Sequence, residues 1–213
     1  MRYLTAVAAL GLLLAVTGTA GATTLATNTA NNVTLDAAIS DSTPFDALQP
    51  NTDYTVDITC SHDITYFGYE SDGTGGGFSL DPNGDVVFTS LPTYGTSNFG
   101  YGPWEYSIPT PTLSGNGKEL SGISVEVWDP YCGEVFSAGD PIMSLALRTG
   151  GLGSSTLGIG EDTAVDWTPP GSYPIPCFDS KTPIDLKVVP EPVTMAGLVL
   201  GIGGLVGYIR RRR

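Results

Sequence analysis

TDYTVDITC, residues 52 to 60, sets Tyr54, Val56, Ile58 and Cys60 on one face of an extended chain and Thr55, Asp57 and Thr59 on the other. Side chains alternate across a strand at every second residue, whereas a helix needs apolar positions three and four apart. The stretch reads as a half-buried β-strand. The same period recurs on both sides of it. GISVEVW opposes Ile123, Val125 and Val127 to Ser124, Glu126 and Trp128; PIMSLALRT turns Met143, Leu145 and Leu147 inward; PIDLKVV does so with Ile184, Leu186 and Val188. NVTLDAAI, DITYFGYE, GFSL, DVVFTSL and WEYSIP add further strands. DPNGD (81–85) and SGNGK (114–118) carry the Asn-Gly pair that type I′ hairpins favour. ESDGTGGG and GLGSSTLGIGED, rich in glycine, read as loops. Many short strands, polar turns and no βαβ rhythm predict an all-β protein, an antiparallel β-sandwich of jelly-roll or Ig-like type, without internal repeats.

Both ends break this pattern. Residues 1–22, MRYLTAVAALGLLLAVTGTAGA, give one positive charge at Arg2, an apolar run from Leu4 to Val16, and small residues at Ala20 and Ala22. That order is a secretory signal helix with cleavage expected after Ala22. At the other end, Val193 to Ile209 is a run of 17 uncharged residues, followed by Arg210, Arg211, Arg212 and Arg213. As a helix it spans about 25 Å, at the short limit for a bilayer core of about 30 Å, and five glycines thin its apolar surface. Carrying four arginines across costs about 3 kcal/mol for each one at mid-bilayer, so they act as a cytoplasmic stop. The domain organisation expected is a signal peptide at 1–22, an exported β-sandwich at 23–189 and a C-terminal segment at 190–213 with a transmembrane helix over 193–209.

The exported part holds 21 acids against Lys118, Arg148, Lys181 and Lys187, a formal charge of −17. Such a body repels phosphates, which excludes nucleic acid as a partner. Basic residues at both ends and acids between them follow the rule that puts the ends in the cytoplasm and the middle across the membrane.

Cys60, Cys132 and Cys177 all lie in the exported part, where an oxidising compartment permits a disulfide. Cys132 and Cys177 sit in proline-bounded irregular segments and are the expected pair, with Cys60 packed inward as a small hydrophobe. No cysteine or histidine spacing fits zinc, and no cofactor is expected. Ser61-His62-Asp63 contains the residue types of a hydrolase triad, but strand alternation would turn His62 away from both neighbours, and His62 is the one histidine of the sequence. Asp81, Asn83 and Asp85 offer oxygens at alternate positions as calcium loops do, with the glycine misplaced for that motif. PTYGTSNFGYGPWEYSIP (92–109) sets Tyr94, Tyr101 and Trp104 among small and polar residues, where rings can stack on sugars or anchor a loop. The many carboxylates supply pairs for hydrolysis without fixing any separation. The function expected is non-enzymatic, with a carbohydrate-binding module and a secreted carboxylate hydrolase as the two alternatives.

Val-Pro-Glu-Pro, a short hydrophobic run and a terminal arginine cluster, in that order, resemble the PEP-CTERM sorting signal over residues 189–213. The resemblance implies an exported protein of a bacterium with an outer membrane. It enters through the Sec translocon, loses its leader to signal peptidase and is held briefly in the inner membrane as a type I protein. An exosortase then recognises Pro190, Glu191 and Pro192 and removes the tail. Proteins with this signal end at the cell surface or in the extracellular matrix, often with exopolysaccharide or biofilm. The signal implies no fold and no activity for the body it is attached to.

Overall fold

A computed structural model describes residues 21–69, 77–102, 111–127, 129–160, 163–166 and 177–190. The described chain is built from fifteen strands: β1 (Thr23–Asn28), β2 (Val33–Ile39), β3 (Asp53–Cys60), β4 (Tyr66–Tyr69), β5 (Gly77–Leu80), β6 (Val87–Phe88), β7 (Thr93–Tyr94), β8 (Thr112–Leu113), β9 (Glu119–Ser121), β10 (Val125–Glu126), β11 (Pro141–Arg148), β12 (Gly153–Ile159), β13 (Thr163–Asp166), β14 (Ser180–Lys181) and β15 (Ile184–Val188). A single 3₁₀ turn at Pro130–Cys132 is the helical element among the described residues. Every strand pair is antiparallel.

One sheet has the order β14-β1-β2-β3-β11-β6, with β7 also on β11; a second has the order β15-β12-β5-β9-β8. A small third sheet has the order β10-β4-β13. In an immunoglobulin sandwich the third strand crosses to the opposite sheet. Here β1, β2 and β3 stay side by side as a meander.

The period-2 stretches fold as their patterns require. Tyr54, Val56, Ile58 and Cys60 of β3 are buried, as are Met143, Leu145 and Leu147 of β11 and Ile184, Leu186 and Val188 of β15. Leu25, Leu35, Ala37 and Ile39 join them from β1 and β2, and Phe78, Leu80, Leu120 and Leu157 come from the facing sheet, so the inner faces form one continuous core. Phe67 of β4 stacks on Phe78 of β5 with ring centroids 6.2 Å apart, which ties the small sheet to the larger one. Layers of this kind make the chain a β-sandwich.

Four expectations are corrected. GLGSSTLGIGED is not a loop throughout: Gly153–Ile159 is strand β12, hydrogen-bonded to β15 on one side and β5 on the other. Its inward positions are Ser155, Leu157 and Ile159, and the serine at the first of them hides the alternation. DPNGD is a turn but not a hairpin, because it leads from β5 in one sheet to β6 in the other. SGNGK does join the hairpin β8–β9, with Gly117 at φ 68° and no positive φ at Asn116, so the turn is not type I′. Ile142 is buried beside Met143, because a register shift between Pro141 and Met143 in β11 adds a residue to the inward set. WEYSIP and all of ESDGTGGG except Gly77 lie outside the described residues.

Candidate functional site

Two loops, residues 97–102 and 129–136, are joined by a compact set of polar contacts. Glu134 is completely buried, and one carboxylate oxygen accepts from Ser97 Oγ at 2.5 Å while the other accepts from the Asp129 backbone N–H at 2.7 Å. A buried carboxylate is tolerated only where donors replace its water, and here one is supplied to each oxygen. The Asp129 carbonyl in turn accepts from the N–H groups of Cys132 and Glu134. This curls residues 129–134 around the 3₁₀ turn, which ends on Gly133 at φ 85°.

The second loop, residues 97–102, is closed by Ser97 N–H donating to the Tyr101 carbonyl at 2.8 Å. Asn98 stitches it to the first. Its N–H donates to the Val135 carbonyl, its Oδ1 accepts from Val135 N–H, and its Nδ2 donates to the Gly133 carbonyl at 3.0 Å. On the other side of the joint, Phe136 and Ile64 exchange backbone hydrogen bonds, and Asp63 Oδ1 accepts from Ala138 N–H at 2.8 Å.

Three aromatic side chains stand on this joint and point outward. Phe99 is 48% exposed, Tyr101 60% and Tyr131 82%. Single exposed rings are ordinary; three carried by two loops that are hydrogen-bonded together make a candidate contact surface. Of the residues the sequence offered for sugar contact, Tyr101 belongs to it. Tyr94 does not, since β7 lays it half-buried against the core, and Trp104 lies outside the described residues. Glu134 and Ser97 carry no signal in the sequence, because a lone glutamate in YCGEVF has no periodic or motif context.

The remaining candidates separate. β3 ends at Cys60, so Ser61 and His62 lie in a bend rather than on a strand, and Ser61 Oγ sits 3.1 Å from His62 Nδ1. Ser61 Oγ also accepts from Thr34 N–H, and Asp63 turns to Ala138, so among the described residues no carboxylate is hydrogen-bonded to the imidazole. Cys60 is buried and His62 exposed, and the Cys60 thiol meets the His62 backbone.

In the 81–85 turn, Asp81 Oδ1 accepts from Asn83 N–H. The Lys118 ammonium donates to the carbonyls of Gly84 at 2.5 Å and Val86 at 2.6 Å, so a covalently attached cation already sits on the backbone oxygens beside Asp81, Asn83 and Asp85. Among the described residues no group of three or more histidine, cysteine or acidic side chains could hold a metal ion.

No disulfide joins Cys132 to Cys177. Cys132 follows β10 at one edge of the small sheet, while Cys177 bridges Ala164 of β13 at the opposite edge. Cys132 is exposed, and the neighbouring Asp129 carboxylate raises its thiol pKa by hydrogen bonding and by charge. Asp41 and Asp179 are held below the usual carboxylate range by donors from Thr43 and Thr29 respectively, opposite to what a general acid needs.

No protein-family model matches the chain, and no curated protein matches it. Among solved structures it is similar to the third ScaB cohesin of R. flavefaciens, solved in complex with a group 1 dockerin, at a TM-score of 0.41 and 13% identity over 68% of this chain and 89% of that one. A superposition that loose carries nothing about partners from one protein to the other.

Proposed function

We propose that this chain is an exported, non-enzymatic protein of the bacterial cell surface or extracellular matrix, delivered by two removable addressing segments. The Sec translocon and signal peptidase handle residues 1–22. The run over 193–209 holds the protein transiently in the inner membrane, and an exosortase releases it at Pro190-Glu191-Pro192. The observation that carries this reading is the C-terminal series of Pro-Glu-Pro, uncharged glycine-thinned run and four arginines. Its helix and its arginines lie outside the described residues, and among those residues no helix is long and apolar enough to cross a membrane.

The fold is compatible with that division. β1 begins at Thr23, immediately after Ala22, and β15 ends at Val188. Val189 N–H still donates to the Leu48 carbonyl at 2.8 Å, so the sandwich's hydrogen bonding runs to the residue before Pro190. A matrix role with exopolysaccharide or biofilm as surroundings suits an acidic body of formal charge −17, which stays dispersed through self-repulsion.

Intact-mass measurement of the protein taken from the cell-surface fraction tests the proposal. The expected species has lost residues 1–22 and the arginine cluster, with its new C-terminus near Pro190. Surface protein that keeps Arg210 to Arg213 would overturn the sorting reading and leave a permanent anchor in its place.

A further inference from the structure

We propose that the rim built by residues 97–102 and 129–136 binds a polysaccharide that carries free amino groups, through Phe99, Tyr101 and Tyr131 together with the carboxylates beside them. The inference does not depend on how the chain is sorted. Its starting point is the exposure of those three rings on two loops that four hydrogen bonds from Ser97 and Asn98 hold together. Glu134 fixes that arrangement from beneath, with both oxygens satisfied. A surface held in place this way loses little conformational entropy when a ligand arrives.

Charge selects the ligand. Residues 97–102 and 129–140 contain no lysine or arginine; Asp129 precedes the turn that carries Tyr131, and Asp140 ends the same segment in a turn closed on the Ser137 carbonyl. Asp63 joins the same segment through its bond from Ala138 N–H, with His62 next to it in sequence. The four lysines and arginines of the exported part sit elsewhere: Lys118 on the Gly84 and Val86 carbonyls, Arg148 beside Asp53, Lys181 on the Gly160 carbonyl and Lys187 in β15. An anionic polymer meets repulsion here from the rim and from the body as a whole. A ligand that offers a flat C–H face to a ring and an ammonium to a carboxylate meets attraction at both, and an ammonium over a ring adds a cation–π contribution.

An amino sugar joins those two features in one residue, and a polymer of it repeats them along its length. A basic peptide of useful affinity depends instead on an anchor enclosed and desolvated in a pocket. Rings about half exposed or more enclose nothing, and they suit a repeated shallow contact.

The test is affinity electrophoresis of the full-length protein in mild detergent through gels containing chitosan, dextran, alginate or poly-lysine. Retardation is expected in chitosan, with little in neutral dextran and none in alginate, and it weakens as salt is raised from about 50 to about 300 mM. Phe99→Ala, Tyr101→Ala and Tyr131→Ala should each weaken binding to chitosan about two- to fivefold, the range for one exposed ring–cation contact, with unchanged melting temperatures because all three side chains are exposed. Equal retardation by poly-lysine and chitosan, unaffected by removal of the rings, would reduce the rim to a bare charged surface and overturn the proposal. Absence of retardation in chitosan would overturn it as well.

Discussion

Cys60 closes β3 with its thiol inside the core, and burial pushes its pKa from the usual 9.0 up to about 11. The unfolded thiol ionises near 9.0 while the folded one keeps its proton, so above that pH the unfolded state binds fewer protons. The contribution is therefore complete below pH 9 and is lost as the pH climbs towards 11. By about pH 10.5 the loss is about 2 kcal/mol. Urea unfolding of the wild-type chain and of Cys60→Ala at about pH 8 and about pH 10.5 checks it: the stability gap should shift by that amount against the wild type. An unchanged gap would place the thiol in contact with solvent. Cys60 was legible from the sequence because it falls on the inward register of TDYTVDITC. Glu134 was not, because a buried acid reveals itself only through Ser97 and Asp129, and Ser97 lies 37 positions away.

Strands declare themselves where alternation is uninterrupted and fade where a polar side chain turns inward. β3, β11 and β15 follow their patterns, whereas β12 was obscured by Ser155, whose Oγ is buried without a hydrogen-bond partner. What makes Gly153–Ile159 a strand is pairing on both edges, to β15 and to β5. Pairing is a tertiary fact, outside any window of sequence. β15 matters for the same reason. It covers β12, and its outer edge is held by the 45–48 segment, where Leu48 N–H donates to the Lys187 carbonyl and Lys187 N–H to the Phe45 carbonyl. Burial of Ile184, Leu186 and Val188 contributes about 2 kcal/mol each, a large share of the roughly 5–15 kcal/mol that a domain has in total. A chain ending at Val189 should melt cooperatively, and one ending at Pro183, which lacks all of β15, should show no native transition in circular dichroism. A cooperative melt from the shorter chain would mean that β12 holds its place without β15.

Across the described residues, stability rests on the two packed sheets and the small third sheet, without a disulfide among Cys60, Cys132 and Cys177. A Cys132–Cys177 bridge would close a loop worth about 4 kcal/mol and would make melting depend on the redox state. The melting temperature should instead be the same with and without dithiothreitol, and a fall of several degrees in the reductant would reveal a disulfide. The surface ion pair Arg148–Asp53, at 3.3 Å and largely exposed, adds little to this, as exposed pairs do. The sequence by itself determined the class of the fold, the inward face of its regular strands, the charge of the body and the resemblance of its C-terminal run to a sorting signal. All of these are local or additive properties of the chain: periodicity, composition and contiguous order. Tertiary structure alone decided that Gly153–Ile159 is a strand, that the 81–85 turn crosses between sheets under Lys118, that the cysteines of the expected pair are not joined, and that the loop of Phe99 and Tyr101 is hydrogen-bonded to the loop of Tyr131. Each of those depends on which distant segments lie side by side, and hydrogen bonding between segments leaves no period in the sequence to read.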